Sequence, residues 1–147
     1  MNEFILYILM RNDLASMNAG KGMAQASHAS NAFINKYSKL PDVKEWQKST
    51  DQGFGTVLVL AADEYQINEA LEKAEQVNLA RGVVIDPTYP YKTTVELAKL
   101  IPKSVDTADR FARNGEVTLF RKEATCAYIF GTKEQTKEAV GKLSLHP

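Results

Sequence analysis

Seven consecutive apolar residues, Phe4 to Met10 (FILYILM), constrain what this chain can fold into more than any other stretch. A strand with one wet face alternates apolar and polar side chains, so an unbroken apolar run has to be covered on both sides. Arg11, Asn12 and Asp13 close the run. The β-branched run GTVLVLAA at 55–62 reads as another buried strand, VVID at 83–86 as a third that stops at Asp86 and Pro87, and TCAYIFG at 125–131 as a strand as well.

Helical periodicity fills the intervals. From about Lys21 to Tyr37, residues Ala26, Ala29, Phe33 and Tyr37 share one stripe while Lys21, Gln25 and His28 share another. That helix ends before Pro41, since a proline and its predecessor disfavour helix. A short helix over 42–49 has Asp42 as its N-cap and Val43 and Trp46 on one side. Asp63 caps a further helix, in which Ile67, Ala70, Leu71 and Ala74 recur at helical spacing up to about Ala80, and Gly82 ends the turn. Thr132 and Gln135 have capping-box spacing at the head of TKEQTKEAVGKL. Strand, helix, strand, helix, strand in this order define an α/β sandwich with right-handed crossovers.

Residues 87–122 carry weaker signals. PTYPYK reads as a loop by its two prolines, and TTVELAKLI as a helix capped by Thr93 or Thr94 and ended by Pro102. DTADRFARN reads as a short helix with Asp106 as cap and Gly115 beyond its end, and EVTLFRK as a strand or an edge hairpin. The 147 residues contain no internal repeat or linker and suffice to bury the core of one domain, 1–147.

Composition excludes several classes. A single cysteine, Cys126, rules out an internal disulfide framework, and two histidines offer no zinc cluster by spacing. The FILYILM run is too short to span a bilayer and lacks a basic flank and a cleavage site, which points to the cytoplasm and away from the membrane. Eighteen Lys and Arg balance eighteen Asp and Glu, against a generic basic binder of nucleic acid. The distribution is uneven: residues 21–48 carry five lysines against Asp42 and Glu45, residues 92–122 carry seven Lys or Arg against four acids, and residues 63–80 are acidic. Basic segments folded onto one side would hold a polyanion locally.

Lys21 is the first candidate for chemistry. The free N–H groups and dipole of a first helical turn favour anions, so a lysine there suits the binding of a phosphate or a developing oxyanion, reached through the Gly20-Lys21-Gly22 turn. A solvated loop lysine fits the same spacing. Asp86 ends a strand on the side where α/β sheets bind ligands, and if the first and third strands are parallel neighbours it becomes a general base, or an orienter of water, near the Lys21 loop. A salt bridge or cap is the alternative for Asp86, a local backbone hydrogen bond for Asp13, and a packed residue for His28. Ser27 and Ser30 lack a nucleophile elbow, and no phosphate-loop or dinucleotide motif is present.

The stretch MRNDLASMNAGKGMAQASHA at 10–29 resembles the N-terminal signature of the peptidyl-tRNA hydrolases of archaeal and eukaryotic type: Arg-x-Asp-Leu, a Gly-Lys turn, Ala-Gln, then x-Ser-His-Ala. The resemblance continues through EWQKSTDQGFGTVLVLAADE, the acidic helix, VVID, TCAYIFG and GKLSLHP. It implies a three-layer α/β sandwich, with a central mixed sheet of about four strands and helices on both faces. It also implies hydrolysis of the ester joining a peptide to the terminal ribose of tRNA, without metal or cofactor. Lys21 matches the family's lysine, Asp86 its aspartate and Thr125 a threonine opening the fourth strand, which makes these the catalytic candidates. Asp13, Gly20, Gly22, Gln25, His28 and Thr88 are the binding candidates, with Thr88 standing in for the family's first threonine. The family has a short Ala-Gly-Arg-Thr-Gln type loop after its aspartate, whereas here PTYPYK and an insertion at about 87–122 follow. The arginine and glutamine have no equivalents, and the insertion and the ending LHP resemble a sister family with no established function.

Two functions follow. The first is a peptidyl-tRNA hydrolase that binds tRNA through its basic segments. The second is a non-catalytic anion- or partner-binding module on the same fold, with Tyr89, Tyr91, Phe111 and Phe120 of the insertion forming an exposed aromatic surface; the favoured reading of these four aromatics is instead a helix flap that covers the sheet. A homodimer through an exposed sheet edge is left open.

Overall fold

The computed structural model describes residues 3–94, 96, 107–113 and 116–147, with the backbone alone for 107–113. In chain order the elements are β1 (Phe4–Arg11), α1 (Ala19–Tyr37), α2 (Pro41–Gln47), β2 (Thr56–Ala62), α3 (Glu64–Gln76), β3 (Ala80–Thr94), β4 (Thr107–Arg113), β5 (Glu116–Thr132), α4 (Lys133–Val140) and β6 (Ser144–Leu145). The chain divides into two compact units, Met1–Val84 with Thr125–Pro147 and Ile85–Ala124, with the boundaries falling inside β3 and next to Thr125 in β5.

Five strands run in the order β3-β5-β1-β2-β6, one more than the sequence suggested, and β4 pairs with β5 besides. The sheet is mixed. β1 is parallel to β2, with Ile5 opposite Thr56 and Arg11 opposite Ala62. It is antiparallel to β5, with Phe4 opposite Thr132 and Met10 opposite Cys126. β6 closes the far edge by pairing Leu60 with Leu145 and Ala61 with Ser144.

In the first unit the unbroken apolar run of β1 does what its sequence demands. Ile5, Tyr7 and Leu9 point to one face, where Ile67, Ala70 and Ala74 of α3 and Val140 of α4 cover them. Leu6, Ile8 and Met10 point to the other, against Ala29 and Phe33 of α1 and Val43 and Trp46 of α2. Three layers result, with helices on both faces. Phe33 sits at the centre of the second layer, its ring 5.0 Å from Phe130 and 5.7 Å from both Trp46 and Tyr128. The polar tips of these aromatics are used as well: Trp46 Nε1 donates to the Thr56 carbonyl at 2.9 Å and Tyr37 Oη to that of Arg81 at 3.0 Å. Among the described residues no helix is long and apolar enough to cross a membrane.

The local signals held at three of the caps. Asp63 and Thr132 each close a capping box, with Gln66 and Gln135, and α1 ends at Tyr37. The start of α1 lies at Ala19, two residues before the expected Lys21, because Asn18 takes the cap. In α2 the first position belongs to Pro41, whose fixed φ suits it, and Asp42 lies inside the first turn instead of capping it. The turn after α3 is made by Asn78 with φ of 55°, and Gly82 lies within β3. An asparagine tolerates that left-handed backbone. At Gly82 the constraint is crowding, since a Cβ there would come 2.3 Å from Tyr128 Oη.

The second unit departs furthest from expectation. β3 continues through Pro87 and Pro90 to Thr94, where a loop was expected. It is a terminal strand in the sheet order, the position where a missing N–H donor is tolerated. The expected helix over 106–114 is instead β4, paired antiparallel to β5 with Arg113 opposite Glu116 and Phe111 opposite Thr118. A helix that short is marginal on its own, and ladder pairing satisfies the same backbone groups. EVTLFRK and TCAYIFG form one 17-residue strand, β5. The body of the helix expected over 93–101, Pro102 as its end, Asp106, Gly115 and the side chain of Phe111 lie outside the described residues.

Within this unit, Val117 and Leu119 of β5 pack with Tyr91 of β3. The Tyr91 hydroxyl donates to the Glu123 carboxylate, Arg121 lies 4.6 Å over the Tyr91 ring, and Arg121 reaches Glu123 at 3.1 Å. Burial, followed by the hydrogen bond to Glu123, raises the Tyr91 hydroxyl above its ordinary range. Tyr89 is fully buried, so the exposed aromatic surface proposed from sequence does not include it.

Candidate active site

The start of α1 is built from short-range chemistry. Asn18 is extended, at φ −108° and ψ 178°, so its side-chain oxygen turns back to accept the Lys21 N–H at 2.9 Å while its carbonyl accepts the Gly22 N–H at 2.9 Å. No acidic residue occupies the first turn, leaving the positive end of the helix dipole without a carboxylate of its own. Lys21 is half-buried, and its ammonium donates to the Ser16 carbonyl at 3.1 Å. That bond holds the charge beside the turn. Gly20 and Gly22 leave room around it: a Cβ at Gly22 would meet nothing within 4 Å, and one at Gly20 only Asn18 Oδ1, at 3.6 Å.

One turn on, Gln25 is buried at 4 % exposure, against a threonine exactly 100 positions later in sequence. Thr125 Oγ1 donates to Gln25 Oε1 at 2.7 Å, and the Cys126 thiol donates to the Gln25 carbonyl at 3.5 Å. Thr125 is 0 % exposed. Burial pushes the Cys126 thiol up to about 12, far from a nucleophile's range. His28, on the same stripe as Lys21 and Gln25, is exposed.

Asp13 serves a different end of the first unit. Arg11, itself buried, donates through Nε to Asp13 Oδ1 at 2.8 Å and through Nη2 to Oδ2 at 3.1 Å, and the Glu64 N–H donates to Oδ2 at 3.2 Å. The carboxylate thus ties the end of β1 to the first turn of α3. Chiefly through the Arg11 hydrogen bond, its pKa is lowered.

Asp86 and Thr88 belong to the second unit. Asp86 Oδ1 accepts the Thr88 N–H at 2.9 Å and lies 3.5 Å from the Thr88 hydroxyl, the local turn closure that an aspartate favours. The expectation that the first and third strands are parallel neighbours is not met, because β5 lies between β1 and β3. Three features escaped the sequence reading: the Asn18 cap, the Ser16 carbonyl on Lys21, and the Gln25 clamp. Asparagine ahead of an apolar-periodic helix is a cap signal and would have revealed the first. The clamp joins residues too far apart in sequence for any spacing rule.

Hollows lie on both faces of the sheet of the first unit. One, of about 210 Å³, lies along α1 and is lined by Met10, Gly22, Met23, Ala26, Val59 and His146 among others. A larger one of about 790 Å³ lies on the opposite face, beside α4, lined by Tyr7, Leu58, Leu60 and Val140 with Lys133 and Lys137 among the α4 residues. Among the described residues, no three of His, Cys, Asp and Glu come together to hold a metal ion.

The first unit is thus a three-layer α/β sandwich with Lys21 in the capped first turn of α1. The chain belongs to the family Peptidyl-tRNA hydrolase PTH2, whose sequence model matches residues 4–146. No curated protein matches it. A solved structure of a protein of unknown function from Agrobacterium tumefaciens is similar over 100 % of both chains, with a TM-score of 0.54 and 8 % identity, a likeness of fold alone.

Proposed function

We propose that this protein hydrolyses the ester between a peptide and the terminal ribose of tRNA, releasing both. The observation that carries the reading is the half-buried Lys21 in the acid-free first turn of α1, in a chain that belongs to the PTH2 family over nearly its whole length. In this reaction water attacks the ester carbonyl carbon, the carbonyl oxygen becomes an oxyanion, and the ribose oxygen leaves with a proton. Lys21 is the residue we assign to the oxyanion or to the adjoining phosphate, since an ammonium beside helical N–H groups favours negative charge that develops there. Asp86 is assigned the water, which it orients or deprotonates, on its match to the family's aspartate and not on any strand neighbourhood. Gly20 and Gly22 let the substrate approach the backbone closely.

Charge distribution supports a polyanionic substrate. Lys36, Lys39, Lys44 and Lys48 are exposed on the segment of α1 and α2, which covers one face of the sheet, while Glu64, Glu69, Glu72 and Glu75 are exposed on α3, which covers the other. A neutral chain thereby presents a basic side. Complete burial of Tyr89 weighs against the aromatic binding surface on which the non-catalytic alternative relied.

Release of tRNA from an N-blocked aminoacyl-tRNA tests the reading. Activity is expected from the intact chain, falling as salt rises, and is expected to be lost in Lys21→Ala and Asp86→Asn with the fold retained. No release by the folded wild-type protein at any salt, or full activity in both variants, would refute it.

A further inference from the structure

We infer that Thr125 and Gln25 form a positioning pair that fixes the start of α1, and with it the Lys21 ammonium, and that the Thr125 hydroxyl does not touch the substrate. The inference rests on the assignment of Lys21 to the reaction. A hydroxyl carries one proton, and of the two acceptors in its reach, Gln25 Oε1 at 2.7 Å and the weaker Cys126 Sγ at 3.9 Å, both buried, Thr125 gives it to Gln25. The group is also 0 % exposed, so it has neither a proton nor an open side to offer an oxyanion.

What the bond does is orient. With Oε1 held by Thr125, the Gln25 amide has one orientation, and the Cys126 thiol adds a second tie to the main-chain carbonyl of the same residue at 3.5 Å. β5 therefore grips α1 at the position four residues after Lys21. On the other side of Lys21 the Asn18 side chain holds the Lys21 N–H at 2.9 Å, and the ammonium bonds the Ser16 carbonyl at 3.1 Å. The lysine stands between a cap and a clamp. Buried, satisfied polar pairs of this kind specify a single arrangement, and small displacements of a charge-stabilising group are costly to catalysis.

The test measures kcat and KM separately on N-blocked aminoacyl-tRNA with the full chain. Thr125→Val and Gln25→Met, which keep side-chain bulk, are each expected to lower kcat by about 10- to 100-fold with KM changed by less than about twofold. The double variant is expected to be no slower than the slower single one, because both remove the same interaction. Thr125→Ser, which keeps the hydroxyl, is expected to recover most of the rate. Val140→Ala, a core change on the opposite face of the sheet, serves as a control for lost stability and is expected to keep the wild-type kcat. Losses that multiply in the double variant would mean that Thr125 acts on its own and would overturn the pair, as would a wild-type kcat in Thr125→Val. Should Thr125→Val fail to fold, Gln25→Met carries the decision: a wild-type kcat there overturns the pair equally. Activity retained in Lys21→Ala is a separate result, which removes the assignment of Lys21 itself.

Discussion

Asn18→Asp separates the stability of the α1 start from its use. Aspartate keeps the side-chain oxygen that accepts the Lys21 N–H at 2.9 Å, so the cap survives, and it places a negative charge where the first turn has none. A carboxylate at a helix start stabilises by about 0.3–1 kcal/mol. For a chain of this size that raises Tm by about 1–4 °C. The same charge opposes any anion brought to Lys21. Two like charges about 6 Å apart near a protein surface repel by roughly 1–3 kcal/mol, so kcat/KM on a tRNA ester should fall by about 10-fold at low salt. The fall should shrink as salt rises, since screening weakens the added repulsion. Thermal unfolding and initial rates at two salt concentrations measure both halves. A variant that is more stable and equally active at low salt would refute the anion site at the helix start, and one that is less stable would refute the capping role of Asn18.

Phe33→Ala removes the side chain at the centre of the aromatic layer, which is 0 % exposed. Lost transfer of the ring and the cavity it leaves should together cost about 4 kcal/mol, read as a lower urea midpoint at unchanged m-value; a loss below about 2 kcal/mol would contradict the packing. The Cys126 thiol is raised to about 12 by burial, so the unfolded chain ionises first as pH rises. Its contribution is fully present below the unfolded value of about 8.5 and is lost as pH climbs toward the folded one. Thiol labelling at pH 8 should therefore proceed only as fast as the protein opens, and rapid labelling of the folded state would refute the burial. Asp13 shifts the opposite way, held down mainly by its hydrogen bond from Arg11. Its contribution is present above about pH 3.9 and is lost as pH falls through the lowered folded value. Asp13→Asn should accordingly flatten the acid limb of the stability profile, and an unchanged limb would show that the carboxylate has no part in it.

How much was legible in the sequence differs between the two units for a physical reason. Caps, helical stripes and buried strands are set by residues a few positions apart, so Asp63, Thr132, Val43 with Trp46, and the whole of β1 were readable from the chain. The same holds for Lys21 and its misfit with the helix dipole. In residues 85–124 the local signals were ambiguous, and prolines that usually mark a loop were absorbed into a terminal strand.

By itself the sequence determined the α/β class, the two-sided cover of the sheet and the place of Lys21 at a helix start, because each follows from periodicity or from groups within one turn. Only the tertiary structure decided that β5 lies between β1 and β3, that Asp13 joins the end of β1 to the Glu64 N–H of α3, and that the Thr125 hydroxyl is spent on Gln25. Those outcomes depend on which distant segments become neighbours. Strand order and long-range hydrogen bonds are chosen by the packing of the whole chain, and no window of sequence contains both partners.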